Sequence, residues 1–279
     1  MQIAGANVIL TGASRGIGRV MATVLAGREA RLALAARSEE SLREVCTAIE
    51  SQGGTAVAIA CDIASEDDRR ELVRRTESKL GPVDILINNA AIESVRAFAD
   101  MPEGDIEGIV DTNLLGTLLL TRAVLPSMLN RRRGHIVNIS SVAGKTMTPW
   151  NSVYSATKHA LVGWTQSLRA ELHGTGVSAS VICPGFILRE GLFSRWGDER
   201  TGKLSGAATT PEKVAAAVVR AIEKDVPEIV VSGPVGKIAD VAFAISPSIT
   251  ATVGRRSPAV KLFRDEAERR RAAGKSLSE

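Results

Sequence analysis

A chain of 279 residues with 44% hydrophobic and 24% charged side chains has an ordinary globular composition, which excludes a disordered or fibrous polypeptide. Its three cysteines, Cys46, Cys61 and Cys183, show no paired spacing, so neither a disulfide framework nor a metal site is expected. A net charge of +4 with only 3% aromatic residues argues against nucleic acid as a partner. The amino terminus, MQIAGANVILTG, lacks a secretory signal pattern, and no stretch approaches the roughly 20 apolar residues of a transmembrane helix, so a cytoplasmic protein is expected.

The first strand expected along the chain, Asn7–Leu10, runs into Thr11-Gly12-Ala13-Ser14-Arg15-Gly16-Ile17-Gly18 and a helix over Ile17–Gly27. Glycines at a strand-to-helix turn let backbone amides approach a pyrophosphate, and the helix dipole favours that anion. The second strand, Arg31–Ala36, ends in Arg37 where an NAD site usually carries an acid for the ribose hydroxyl. With Arg15 in the glycine turn, two guanidinium groups converge on that ribose and suit a 2′-phosphate, which points to NADP(H). Ser38 and Ser65 precede acidic first turns and open helices over Glu39–Gln52 and Asp67–Leu80. Between those helices the third strand, Ala56–Ala60, leads to Asp62, placed for an adenine edge; the fourth, Val83–Ile87, leads to Asn88-Asn89-Ala90-Ala91.

A long helix over Pro102–Arg132 contains Asn113 and precedes the fifth strand, His135–Ile139, which ends in Ser140-Ser141. The helix Ser152–Glu171 carries Tyr154 and Lys158, whose i, i+4 spacing puts them on one face. A phenol titrates near pH ~10, so an adjacent cation is expected to bring Tyr154 into range for acid/base work. Ser141 can hydrogen-bond the substrate oxygen, and Asn113 can orient Lys158 through a water or backbone link. The sixth strand, Val177–Ile182, leads to Pro184-Gly185, and the helix Pro211–Lys224 to a last strand, Glu228–Val231. Nearly continuous apolar strands alternating with helices imply an α/β fold with a doubly wound parallel sheet, one domain over residues 1–235. Residues 236–279 form a carboxyl-terminal extension, an apolar Gly236–Ile249 and a basic, helix-prone Pro258–Glu279; lid, interface and weak peripheral membrane contact are its competing readings.

TGASRGIG, Asp62, NNAA (Asn88–Ala91), Asn113, IVNISS (Ile136–Ser141), Tyr154-x-x-x-Lys158 and Pro184-Gly185 together resemble the short-chain dehydrogenase/reductase family over residues 8 to about 187. The resemblance implies a Rossmann fold, a catalytic tetrad of Asn113, Ser141, Tyr154 and Lys158, and metal-free hydride transfer between a nicotinamide and a carbonyl or secondary alcohol. Tyr154 would protonate the nascent alkoxide, with a relay through ribose, Lys158 and water restoring the proton. Carried over position by position, the cofactor contacts are Gly12, Ser14, Arg15, Gly16, Ile17, Gly18, Arg37, Asp62, Ile63, Asn89, Tyr154, Lys158, Pro184, Gly185 and Ile187. A homodimer or homotetramer is the expected assembly.

Three places depart from the family pattern. NNAA stands for NNAG, Arg189 for a frequent nicotinamide-contacting Thr, and the Pro227–Pro234 segment for a Gly-rich end. The segment Phe186–Ser205 mixes Phe186, Leu188, Leu192, Phe193 and Trp196 with Arg189, Arg195 and Arg200, an apolar lid with basic edges for a lipophilic carbonyl compound, with or without an acidic group. The alternatives are a 3-oxoacyl-thioester reductase, with Arg131–Arg133 receiving an acidic carrier protein, and a non-catalytic NADP(H) sensor.

Overall fold

In the computed structural model of this chain, seven parallel strands form one sheet in the order β3-β2-β1-β4-β5-β6-β9. Residues 1–187, 208–234 and 258–273 are described, together with 236, 242, 245 and 246. The strands are β1 (Asn7–Thr11), β2 (Arg31–Ala36), β3 (Thr55–Ala60), β4 (Ile85–Asn88), β5 (Gly134–Ile139), β6 (Val177–Pro184) and β9 (Glu228–Val231). Strand order reverses between β1 and β4, which opens a crevice at their carboxyl ends. Two short strands that the sequence pattern does not announce, β7 (Phe186–Ile187) and β8 (Ala208–Thr209), pair in parallel beyond β6.

Both faces of the sheet are covered, which is why the strands read as unbroken apolar runs. Val8 and Leu10 pack on one side with Met21 and Leu25 of α1 (Gly16–Ala26), and with Leu42 of α2 (Glu39–Glu50). Ile9 points the other way, with Leu72 of α3 (Glu66–Leu80) and Leu120 and Val124 of α5 (Gly116–Arg131). Each such fully buried aliphatic side chain contributes roughly 1.5–3 kcal/mol of transfer free energy. Ser38 accepts from the Ser41 amide and Ser65 from the Asp68 amide, both at 3.3 Å, capping α2 and α3.

The single helix expected over Pro102–Arg132 is divided. α4 (Glu103–Val110) passes through a π-helical turn, Asp111–Leu115, into α5. A Cβ on Gly116 would lie 2.5 Å from the Ile63 carbonyl oxygen, so the chain widens where it meets the end of β3. Within the run Glu103–Arg131, one 18-residue window is long and apolar enough by composition to cross a membrane. Leu120, Val124 and Met128 nevertheless lie fully buried against the sheet.

Arg131–Arg133 do not form a free patch. Arg131 and Arg133 bond Asp84 at 2.8 and 3.1 Å, and Arg132 bonds the Gly174 carbonyl at 3.0 Å. These partners lie at the amino-terminal edge of β4 and β5, away from the crevice. Arg132 and Arg133 remain exposed, and Asp84 is the carboxylate that Arg131 and Arg133 share.

The same edge holds His135, buried, with Nε2 at 2.9 Å from the Ser180 hydroxyl. Burial lowers its pKa to about 4, only partly opposed by Asp225. The unfolded chain therefore takes up this proton below about pH 6.5, whereas the native chain does not until about pH 4. Stability from this group is complete above pH 6.5 and declines as pH falls towards 4, with about 2 kcal/mol lost by pH 5. Urea midpoints measured between pH 7 and pH 5 should show this decline, flattened in His135→Gln; an equal slope in both proteins would refute it.

The remaining helices are α6 (Ser152–Glu171), α7 (Pro211–Lys224) and α8 (Pro258–Ala273). α8 lays Leu262, Phe263 and Ala267 against Val95, Trp150 and Phe186. Most of Gly236–Ile249 lies outside the described residues.

Candidate active site

The glycine turn is built by close approach. Gly12 and Gly16 have φ of +64° and +55°, a region that favours glycine. A Cβ on Gly18 would stand 2.0 Å from the Gly12 carbonyl oxygen, so α1 abuts the turn as no other residue would allow. Asn89 ties this turn to β4 by donating to the carbonyls of Thr11 (2.9 Å) and Gly12 (3.1 Å). Asn88 is buried and spans to Thr121 and Asn138, so the Asn pair joins strand ends on both sides. The three glycines leave the backbone bare at the start of α1, which fits a dinucleotide pyrophosphate. Ser14 and Ile17 sit within the same turn, Ile17 packed on the core.

Arg15 stands at the amino-terminal cap of α1, and Arg37 follows β2 directly. The Ala13 amide donates to the Ala35 carbonyl at 3.2 Å, so both guanidinium side chains leave from one corner. Asp62 follows β3, where its carboxylate accepts from the Ala64 amide at 3.0 Å. Ile63 is buried beside it, and its carbonyl receives Arg69.

Across the crevice, Ser141 follows β5 and lies close enough to the Tyr154 phenol to oppose the rise of its pKa. The Ser141 hydroxyl accepts from the Ala143 amide at 3.1 Å and reaches the Pro184 carbonyl at 3.4 Å. Lys158 is only 2% exposed, with Nζ donating to the Ile139 carbonyl at 2.9 Å and lying 5.4 Å from the Tyr154 ring centre. Gly144 permits this packing: a Cβ there would fall 2.5 Å from the Lys158 carbonyl oxygen. The Gly185 amide bonds Val231 at 2.8 Å, and Ile187 packs in the core while pairing with Thr209.

One expectation changes in detail. Lys158 does not bring the phenol down: burial, with Glu93 adding to it, raises the Tyr154 pKa above its ordinary value, and only Ser141 opposes this. Burial also brings Lys158 down to about 8. The phenol is thus held as a proton donor. Asn113 is anchored by its side chain. Its Oδ1 accepts from the Ile92 amide and its Nδ2 donates to the Ile92 carbonyl, both at 2.8 Å, so it clamps the loop after β4. Glu93 and Asn151, buried beside Tyr154, escaped the sequence reading because neither belongs to a recognisable spacing. Arg189 and the lid positions Leu188, Leu192, Phe193, Arg195, Trp196 and Arg200 lie outside the described residues.

A crevice at the switch point of a doubly wound sheet, with a glycine turn on one side and a Ser-Tyr-Lys cluster on the other, defines an α/β oxidoreductase. The family profile described as short chain dehydrogenase matches residues 6–198, and the chain belongs to that family. It is 44% identical over 232 residues to the ketoacyl reductase HetN of Nostoc, covering 82% of this chain and 79% of that one. Among solved structures it resembles a variant of actinorhodin polyketide ketoreductase with NADPH (31% identity, TM-score 0.78, 85% of this chain and 98% of the other). It also resembles a metagenomic short-chain oxidoreductase in complex with NADP (31%, TM-score 0.72, 83% and 98%).

Proposed function

We propose that this chain is an NADP(H)-dependent carbonyl reductase, or the reverse alcohol dehydrogenase, with Tyr154 as general acid/base. One observation carries the reading: a buried phenol beside Ser141, with Lys158 one helical turn away, faces the glycine turn across the crevice. The nicotinamide, when bound, supplies or accepts the hydride. Ser141 and Tyr154 present two hydroxyls to one substrate oxygen, and the phenol proton passes to that oxygen as negative charge builds on it. Lys158 carries a labile proton within reach of the site and replaces the one the phenol has given. Asn113 acts by position, fixing the loop that forms the opposite wall.

Arg15 and Arg37 receive the 2′-phosphate; the two solved relatives hold NADP or NADPH, which favours the same cofactor here. The apolar side chains Val95, Trp150, Phe186 and Phe263 gather beside the crevice, which favours a lipophilic ketone, and residues 258–273 belong to that wall rather than to a separate domain. Similarity to a ketoacyl reductase supports a 3-oxoacyl thioester as the second substrate reading.

A panel of neutral ketones and acyl thioesters, offered with NADPH or NADH at equal low concentration, tests the reading by loss of reduced-cofactor absorbance. Turnover is expected, faster with NADPH, and Arg37→Asp should shift the preference towards NADH by roughly ten- to hundredfold, the worth of a charge-assisted contact. No turnover of any carbonyl compound would overturn the activity. Faster turnover with NADH by the unaltered protein would overturn the cofactor assignment.

A further inference from the structure

Thr209 is 7% exposed, and its hydroxyl has no hydrogen-bond partner among the described residues. It stands on β8, opposite Ile187 of β7 in a parallel register. Paired residues on adjacent strands face the same way, so the Thr209 side chain enters the molecule beside that of Ile187. Ile187 is buried in the cluster that also holds Ala13 of the glycine turn and Val214 of α7, with Ile17 packed against it.

The elements on either side fix where this pair of strands lies. β7 starts two residues beyond Pro184, whose carbonyl the Ser141 hydroxyl reaches at 3.4 Å. β8 leads directly into Thr210, which caps α7 by accepting from the Lys213 amide at 3.4 Å. α7 and α1 cover the same face of the sheet, and both run back from the crevice edge to start the next parallel strand. Just past the end of α1, Arg28 pairs with Glu223 of α7 at 3.0 Å. Gly16 and Thr210 lie twelve and thirteen residues before that pair, so the two helix starts are level. The β7–β8 pair therefore bridges the Ser141–Tyr154 cluster and the glycine turn, the stretch a dinucleotide crosses between its pyrophosphate and its nicotinamide.

A buried hydroxyl without a partner is costly, and an apolar side chain of the same shape avoids that cost. The fold makes no use of this hydroxyl, and a bound group can. The bare amides of the glycine turn suit the pyrophosphate, and Arg15 and Arg37 the 2′-phosphate, which leaves the nicotinamide carboxamide still to be held. A carboxamide carries a donor and an acceptor, and a hydroxyl can meet either. We propose that Thr209 is a cofactor-binding residue whose hydroxyl holds the nicotinamide carboxamide. This rests on the NADP(H)-dependent reductase reading above.

The test is calorimetric titration of the unaltered protein, Thr209→Val and Thr209→Ser with NADPH and with 2′-phospho-ADP-ribose, which lacks the nicotinamide. Thr209→Val is expected to bind NADPH about tenfold more weakly, the worth of one buried hydrogen bond, and 2′-phospho-ADP-ribose as the unaltered protein does. Its melting temperature without nucleotide should equal or exceed that of the unaltered protein, because the fold loses no bond. Thr209→Ser, which keeps the hydroxyl, should bind NADPH close to the unaltered level. Unchanged NADPH affinity in Thr209→Val overturns the inference, as does an equal loss for both ligands or an equal loss in both variants. A Thr209→Val protein that melts well below the unaltered one, or does not fold, means that the hydroxyl serves the fold and also overturns it. If the unaltered protein reduces ketones with NADPH while these affinities do not change, this inference alone fails; if it binds no NADPH, the cofactor reading falls with it.

Discussion

Tyr154→Phe is expected to lower kcat/KM for ketone reduction by on the order of 10²–10⁴-fold while NADPH binding and thermal stability stay near those of the unaltered protein. The substitution removes one hydroxyl from a ring that remains packed, so the loss falls on proton transfer rather than on the fold. Ser141 keeps its bonds to Ala143 and Pro184 and cannot replace the donor, because its own proton is far less acidic than a phenol's. Tyr154 is the only tyrosine, so no neighbouring phenol can take over. Steady-state kinetics with a ketone and NADPH, alongside cofactor fluorescence titration, separates the two effects. Undiminished turnover in the variant would dismiss Tyr154 as the acid, and lost cofactor binding would mean that the ring, not the hydroxyl, is what matters.

Gly18→Ala should be the most damaging small change in the nucleotide half. The added methyl would lie 2.0 Å from the Gly12 carbonyl oxygen and 2.9 Å from Asn89 Nδ2, so either α1 must move out or the Asn89 clamp must open. Backbone atoms cannot swing aside as a flexible side chain would. We expect a stability loss of roughly 3 kcal/mol, in the range for strain inside a packed site, together with loss of measurable NADPH binding. Gly163→Ala, on the exposed face of α6 with nothing within 4 Å of its Cβ, is the internal contrast. It should be neutral or stabilising by up to about 1 kcal/mol through helix propensity. Thermal denaturation and NADPH titration of the two variants decide the matter, and a Gly18→Ala protein as stable and as tightly bound as the parent would refute it.

Much of the architecture is legible in the amino-acid order because local chemistry and the fold agree. Buried parallel strands need apolar residues at every position, so β1, β2, β4, β5 and β6 announce themselves. The serines before α2 and α3 serve as the caps they suggest. The glycine turn and the Tyr154–Lys158 spacing are short-range patterns whose geometry follows from one strand end and one helix.

What depended on residues distant in sequence was not legible. The π turn at Asp111–Leu115 runs into Gly116, which packs against the Ile63 carbonyl, a contact across more than fifty positions. The hold of Asn113 on the backbone of Ile92, 21 positions away, has no local signature. Arg131–Arg133 read as free charge until Asp84 and Gly174 appear beside them. The sign of the Tyr154 shift also escaped, because an i, i+4 lysine is visible in a string of letters and desolvation is not. Sequence alone determined which candidate groups the chain offers and in what order; only the tertiary structure decided their neighbours and the direction of their pKa shifts, because both depend on how much water the packed chain leaves around them.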